Sequence, residues 1–291
     1  NSWERYVAGL LVGEVPAAAF EEFAFGRAAE HTCAAFGIGG PCALLSVACA
    51  SGGAALGVAC DMIRLGEAQV ALAVGYDALA PTPLSGLSVL RTMTDEMIRP
   101  FSADRSGTLF GEGAGALVIE DLEHARERGA RPLAEVLGWA ENNNAYHVTA
   151  PDQGGAGMTR VLRDAIADAN IDPRTVDYVN AHGTGTQPHD PAEVQAVKNV
   201  LGERAREIPM SSIKAATGHM MGAAGAAEAI ATVMAVNEGI VPPTVNYREP
   251  DPECDLDHVP NVAREATVGR AISISAGIGG NNSCVVLGAL D

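Results

Sequence analysis

Three side chains able to do nucleophilic or acid–base work stand in small-residue surroundings: Cys49 in VACASGG, His182 in NAHGTGT and His219 in KAATGHMMGAAGA. Cys49 follows a β-prone apolar run, Leu44 to Ala48, and precedes Ala50-Ser51-Gly52-Gly53 and an Ala-rich segment of helical character. That order puts the sulfur at a helix N-terminus, where unpaired N–H groups and the dipole favour a thiolate. Small neighbours let a substrate carbonyl approach the backbone. The same cysteine also reads as a small buried hydrophobe. His182 and His219 fall in loops that follow strands, where open α/β sheets place ligands, and each also reads as a structural histidine. Lys214, five residues before His219, sits in an apolar context and needs an anionic partner; Glu228 is the candidate. The alternative is a strand-end lysine in water.

Rival chemistries lack their motifs. There is no G-x-S-x-G elbow, H-E-x-x-H pair, G-x-x-x-x-G-K-[ST] loop or G-x-G-x-x-G turn. Six cysteines form no C-x-x-C pair, and Cys49 with two histidines lacks the short spacing of a zinc site. A net charge of −17 without a basic run argues against nucleic acid and anionic membrane surfaces. The uncharged stretch from His31 to Cys60 is broken by glycines, Pro41 and serines, so it reads as buried core rather than a membrane span. The N-terminus lacks a signal-peptide pattern, so reduced thiols and a cytoplasmic location are expected.

The elements that must position these residues alternate. Strands are expected at Leu44–Ala48, Gln69–Val74, Ala116–Glu120, Leu133–Trp139, Val176–Asn180, Ile208–Ile213 and Ala271–Ser275. Helices are expected at Phe20–Ala29, Ala54–Leu65, Gly157–Ala169, Pro191–Leu201 and Ala223–Val236, a charged helix or linker at Asp121–Arg131, and Pro81–Ser106 is irregular. This is an α/β chain with a largely parallel sheet, divided into residues 1–131 and 132–291. The Cys49 and His219 segments look like counterparts in a weak internal duplication. Their Ala/Gly-rich helices fit close packing between two sheets.

Taken together, VACASGG, NAHGTGT, SSIKAATGHMMGAAGAAE and the closing GIGGNN resemble the β-ketoacyl synthases, elongating type with a Cys-His-His site. NNNAYHVTAPD and DPECDLDHVP lean towards bacterial fatty-acid and type II polyketide systems. The resemblance runs from about Gly37 to the C-terminus. It implies a thiolase-like fold of two related α/β halves with packed mixed sheets, the N-terminal half incomplete and its sheet edge open. It implies Cys49 as the acylated nucleophile, His182 and His219 at the malonyl thioester, and Lys214 organising the site with Glu228. Thr184 and Thr186 would hold the pantetheine arm, and the closing loop with Ile278 and Gly279 would contact substrate, the N–H groups of Cys49 and Ile278 forming an oxyanion hole. No metal or redox cofactor is implied. The implied partners are an acyl carrier protein and a second subunit, either identical or chain-length-factor-like. Arg64 and Arg99 are candidates to meet an acidic carrier. The chain departs from the family at Ala276 and Ile278, where phenylalanines are usual, and at Asn281, where threonine is. The wider space beside Cys49 leaves an acyltransferase or cyclase as the enzymatic rival, and a non-catalytic partner subunit as the other.

Overall fold

The structure, a computed structural model, describes residues 2–14 and 26–290. In chain order its main elements are α1 (Ser2–Val12), α2 (Arg27–Phe36), α3 (Ser51–Arg64), β1 (Val70–Asp77), α4 (Pro81–Val89), β2 (Gly113–Glu120), α5 (Leu122–Glu127) and β3 (Glu135–Asn143). They continue with α6 (Ala156–Asp168), β4 (Tyr178–Asn180), α7 (His189–Leu201), β5 (Met210–Ser211), α8 (Lys214–Thr217), α9 (Ala224–Glu238), β6 (Ile240–Val241), β7 (Arg264–Glu265), β8 (Arg270–Gly277) and β9 (Asn281–Gly288).

Two sheets enclose a helical layer. Strands β1 and β2 form an antiparallel pair, and a five-stranded sheet runs β3-β9-β8-β4-β5. The second is mixed rather than largely parallel: β4 is parallel to both β8 and β5, while β9 is antiparallel to β3 and β8. The sequence reading passed over β9, a nearly continuous buried run whose Gly/Asn approach looks like loop. Helices α3 and α9 lie between the sheets and α6 covers the outer face of the larger one. The expected packing of Ala/Gly helices between sheets is therefore what forms. A Cβ on Gly52 would stand 2.4 Å from the Ala226 nitrogen, and one on Gly225 2.6 Å from the Gly53 nitrogen. The two helices cross backbone on backbone, which only glycine permits.

Other elements differ from expectation. Residues Leu44–Val47 form no strand and Ala48 starts a 3-10 turn, because no described strand lies alongside, and pairing rather than β propensity makes a strand. Pro81–Val89 is a helix, not irregular: Pro81 stands in the first turn, where a missing N–H costs nothing. The strand expected at Ile208–Ile213 shrinks to Met210–Ser211. Of the helix expected from Phe20 to Ala29, residues 20–25 lie outside the described residues, and the remainder belongs to α2 and its approach. No described helix is long and apolar enough to cross a membrane.

The helix crossing sets a stability test. Gly52→Ala should lower unfolding free energy by about 1–3 kcal/mol through overpacking. Gly86→Ala, on exposed α4 with nothing within 4 Å of its added methyl, should instead stabilise by about 0.5–1 kcal/mol. Urea midpoints of the two variants check both; equal midpoints would remove the close-contact account.

Candidate active site

Cys49 occupies a 3-10 turn, Ala48–Ala50, that runs straight into α3. Ala48 holds φ at +53°, a left-handed conformation that costs a residue with a Cβ about 1–3 kcal/mol. Ser51 fastens this turn: its hydroxyl donates to the Ala48 carbonyl at 2.7 Å and accepts the Val47 N–H at 3.0 Å. The turn abuts the end of β8, where a Cβ on Gly277 would stand 3.0 Å from the Cys49 nitrogen. Beyond it, residues 278–280 make a three-residue hairpin loop to β9, closed in the register Gly277↔Asn281. The loop aims the Ile278 N–H at the Cys49 sulfur.

The thiol is not the activated thiolate that a helix N-terminus alone would give. Burial pushes Cys49 up to about 11, against the Lys214 charge and the Ile278 N–H, which pull the other way. Desolvation wins, and the resting sulfur is protonated.

His182 leaves the C-terminal end of β4, and Lys214 and His219 follow β5. His219 is fastened on both sides: its N–H donates to the Leu109 carbonyl at 2.7 Å and its carbonyl accepts the Gly111 N–H at 3.0 Å. Its Nδ1 accepts the Met221 N–H at 3.3 Å. His182 Nδ1 lies 3.3 Å from Lys214 Nζ, which as an ammonium can only donate. Assigned from these bonds, both rings carry their proton on Nε2. The rings meet edge to face at 5.4 Å. Burial, then the Lys214 charge, hold both far below the usual histidine range, so both are neutral at pH 7.

Lys214 is buried and its Nζ is shared among Glu228 Oε1, the His182 carbonyl at 2.5 Å and His182 Nδ1. Ser275 Oγ lies 3.4 Å from the other oxygen of Glu228. The lysine is thus enclosed and paired with Glu228, not a strand-end residue in water.

Cys49, His182, His219, Thr184, Thr186 and Ile278 line one cavity of about 1620 Å³, whose walls are mostly apolar. Lys214 and Glu228 stand behind its wall. Gly279 is exposed and does not line the cavity; its N–H donates to the Val148 carbonyl at 2.6 Å. The Thr184 and Thr186 hydroxyls are 3.0 Å apart. Ala276 and Ile278 line the cavity near Cys49, where the wider space was expected. Among the described residues no cluster of three or more His, Cys, Asp or Glu could hold a metal. Neither arginine proposed for a carrier is free: Arg64 pairs with Asp168 and Asp61, and buried Arg99 with Glu96 and Asp104.

Residues that sequence reasoning missed hold the histidine loop. Glu193 accepts the His182 N–H at 2.6 Å and the Gly183 N–H at 2.8 Å. Burial pushes its carboxyl up to about 8, against those two bonds. Asp190 accepts the Phe101 N–H at 2.7 Å and the Gly185 N–H at 3.2 Å. Both are in the first half of α7, where acidic residues ordinarily read as solvated partners of the helix dipole. Their i, i+3 spacing puts them on one face, and that face is buried. The arrangement offers a nucleophile, a backbone N–H beside it, and two neutral N–H donors facing the same space. That set suits acyl transfer and stabilisation of an enolate oxygen.

Residues 19–125 match the family profile described as "Beta-ketoacyl synthase, N-terminal domain", and residues 133–248 its C-terminal domain. A solved type II PKS acyl-carrier protein in complex with its ketosynthase bound to the hexaketide superposes with a TM-score of 0.93 at 37% identity, over 95% of this chain and 70% of that one. The chain belongs to the β-ketoacyl synthase family. Its fold is the thiolase-like fold of the ketosynthases. The solved ishigamide ketosynthase/chain length factor superposes with the same TM-score at 36% identity, over 100% of this chain and 71% of that one. Nodulation protein E of Rhizobium leguminosarum bv. trifolii is 47% identical over 257 residues, 88% of this chain and 63% of that protein. The chain spans 61–63% of the length of the curated relatives that it matches first.

The state of the sulfur can be read by alkylation. With the thiol raised to about 11, Cys49 should react with iodoacetamide about tenfold faster per pH unit from 7 to 10, levelling only near 11. Peptide mass spectrometry separates it from exposed Cys42. A plateau already reached near pH 7 would mean an activated thiolate and overturn the burial argument.

Proposed function

We propose that this chain is a ketosynthase that extends an acyl group by decarboxylative Claisen condensation. The observation that carries the reading is the pair of neutral Nε2–H donors, His182 and His219, facing the same cavity as Cys49 with Lys214 fixed behind.

Cys49 Sγ attacks the carbonyl of an acyl thioester; a new carbon–sulfur bond forms, the donor's own carbon–sulfur bond breaks, and its thiolate leaves with the Cys49 proton. The Cys49 and Ile278 N–H groups hold the oxygen during this exchange. A malonyl thioester then binds with its carbonyl oxygen at the two Nε2–H donors. Its carboxylate–carbon bond breaks, carbon dioxide departs, and the electron pair is held as an enolate. Neutral imidazoles stabilise that oxygen through N–H donors too weakly acidic to protonate the carbanion. The carbanion attacks the acyl-Cys49 carbonyl, the carbon–sulfur bond breaks, the sulfur leaves as thiolate and takes a proton from water, and a β-ketoacyl thioester results. Lys214 works through His182: its ammonium fixes the tautomer and ring.

Both substrates would arrive on the phosphopantetheine arm of an acyl carrier protein, the arm lying against Thr184 and Thr186; no resident cofactor enters the scheme. A similar ketosynthase has been solved with its carrier, and another with a chain length factor. A second subunit, identical or chain-length-factor-like, and a cytoplasmic location complete the reading.

Intact-protein mass spectrometry tests it with acyl-loaded carrier, then malonyl carrier. The wild type should take up the acyl group and lose it as a chain two carbons longer appears with carbon dioxide release. Cys49→Ala should form no adduct. His219→Ala should still acylate but extend about 100- to 1,000-fold more slowly, the loss of one oxyanion donor. An adduct that leaves as a cyclised product without malonyl would replace condensation with cyclase chemistry.

A further inference from the structure

The loop 181–187 carries His182, Thr184 and Thr186 but has no regular secondary structure, so its shape rests on side chains that reach in from elsewhere. Glu193 and Asp190 fasten its N–H groups, and Ser212 Oγ donates to the Gly183 carbonyl at 2.7 Å. The threonine end is held from the opposite side, by the segment that follows Phe101. There the Gly107 N–H donates to the Gly185 carbonyl at 3.0 Å.

Arg105 dominates that contact. Its side chain is 1% exposed. Nε donates to the Thr186 carbonyl at 3.2 Å and Nη2 to the Gln187 carbonyl at 3.3 Å. Nη1 donates to the Ser102 carbonyl at 3.0 Å and pairs with Asp251, and Asp190 lies 4.0 Å from Nε. In return the Gln187 amide donates to the Arg105 carbonyl at 2.6 Å. A planar fork meeting two successive carbonyls fixes the orientation of the peptide between them, which a point charge cannot do. That peptide sets where the Thr186 hydroxyl stands, 3.0 Å from that of Thr184.

We infer that Arg105 is a positioning residue for the carrier's arm: it sets the Thr184–Thr186 hydroxyl pair against the amides and hydroxyl of pantetheine, and does not act on the chemistry at Cys49. The inference rests on the proposed function, since it needs the two threonines to receive that arm. Asp251 and Asp190 serve it by compensating the buried guanidinium. Sequence reading passes over Arg105 because an arginine in SADRSG looks like a solvated loop residue.

The test uses the protein in its native assembly and two acyl donors, octanoyl-pantetheine and the octanoyl thioester of 2-mercaptoethanol, which lacks the arm. Arg105→Lys keeps the charge and loses the fork. It should raise KM for octanoyl-pantetheine about tenfold, with kcat within about twofold and the short thioester unaffected. Thr186→Ala should cost little more in that background, though it costs as much alone, because the two residues act as a unit. Equal losses on both donors with a lowered Tm would make Arg105 merely structural and overturn the inference. So would an unchanged KM in a variant whose wild type prefers the pantetheine donor. A wild type with no such preference would instead sink the reading of the threonines themselves, and the inference with it.

Discussion

One ammonium holds the site together. Lys214 Nζ is taken out of water and shared among a carboxylate, a backbone carbonyl and an imidazole nitrogen. Enclosing that charge is costly, and Glu228 makes it tolerable; removing either partner would strand the other at about 3–5 kcal/mol. The return is not stability but order. Because an ammonium has no lone pair, it dictates that His182 accept at Nδ1 and present a proton at Nε2. The same charge helps keep both histidines neutral and draws the Cys49 thiol downward. A single buried cation therefore acts on three neighbours, adding to burial at the two histidines and opposing it at Cys49.

The fold supplies what that cation needs. Glu228 comes from α9, the helix whose glycine crosses α3 backbone on backbone. Cys49 is carried at the start of α3, and the hairpin loop that faces it ends the β8–β9 pair on which both helices rest. His182 and Lys214 leave the ends of parallel neighbours β4 and β5. Small residues in the middle layer thus bring nucleophile, ion pair and donors into one space, and a larger residue at Gly52 or Gly225 would separate them.

The residues proposed to react were more legible in the sequence than their supports. Cys49, His182 and His219 were visible because each stands among small residues after an apolar run, and Glu228 because a buried lysine demands an anion. The mixed sheet was less legible: β9 hides behind Gly-Gly-Asn-Asn, and antiparallel pairing with β3 depends on a partner some 140 residues away, which no local pattern reports. Glu193, Asp190 and Arg105 escaped for a related reason. Charged residues in a helix start or a Gly/Ser loop look solvated until tertiary packing buries them. The protonated state of Cys49 was missed because the helix N-terminus is a local feature, whereas the desolvation that outweighs it comes from the whole cavity wall.

The donor opposite Cys49 belongs to the main chain of a hairpin tip, and this separates two things usually inherited together. Strand register, anchored by Gly277↔Asn281 and by asparagines 142 and 143 across to β9, decides where the Ile278 N–H points. The side chain at 278 has no part in that aim. It is free to be small, branched or aromatic, so the space beside Cys49 can change size while the direction of that N–H stays where it is.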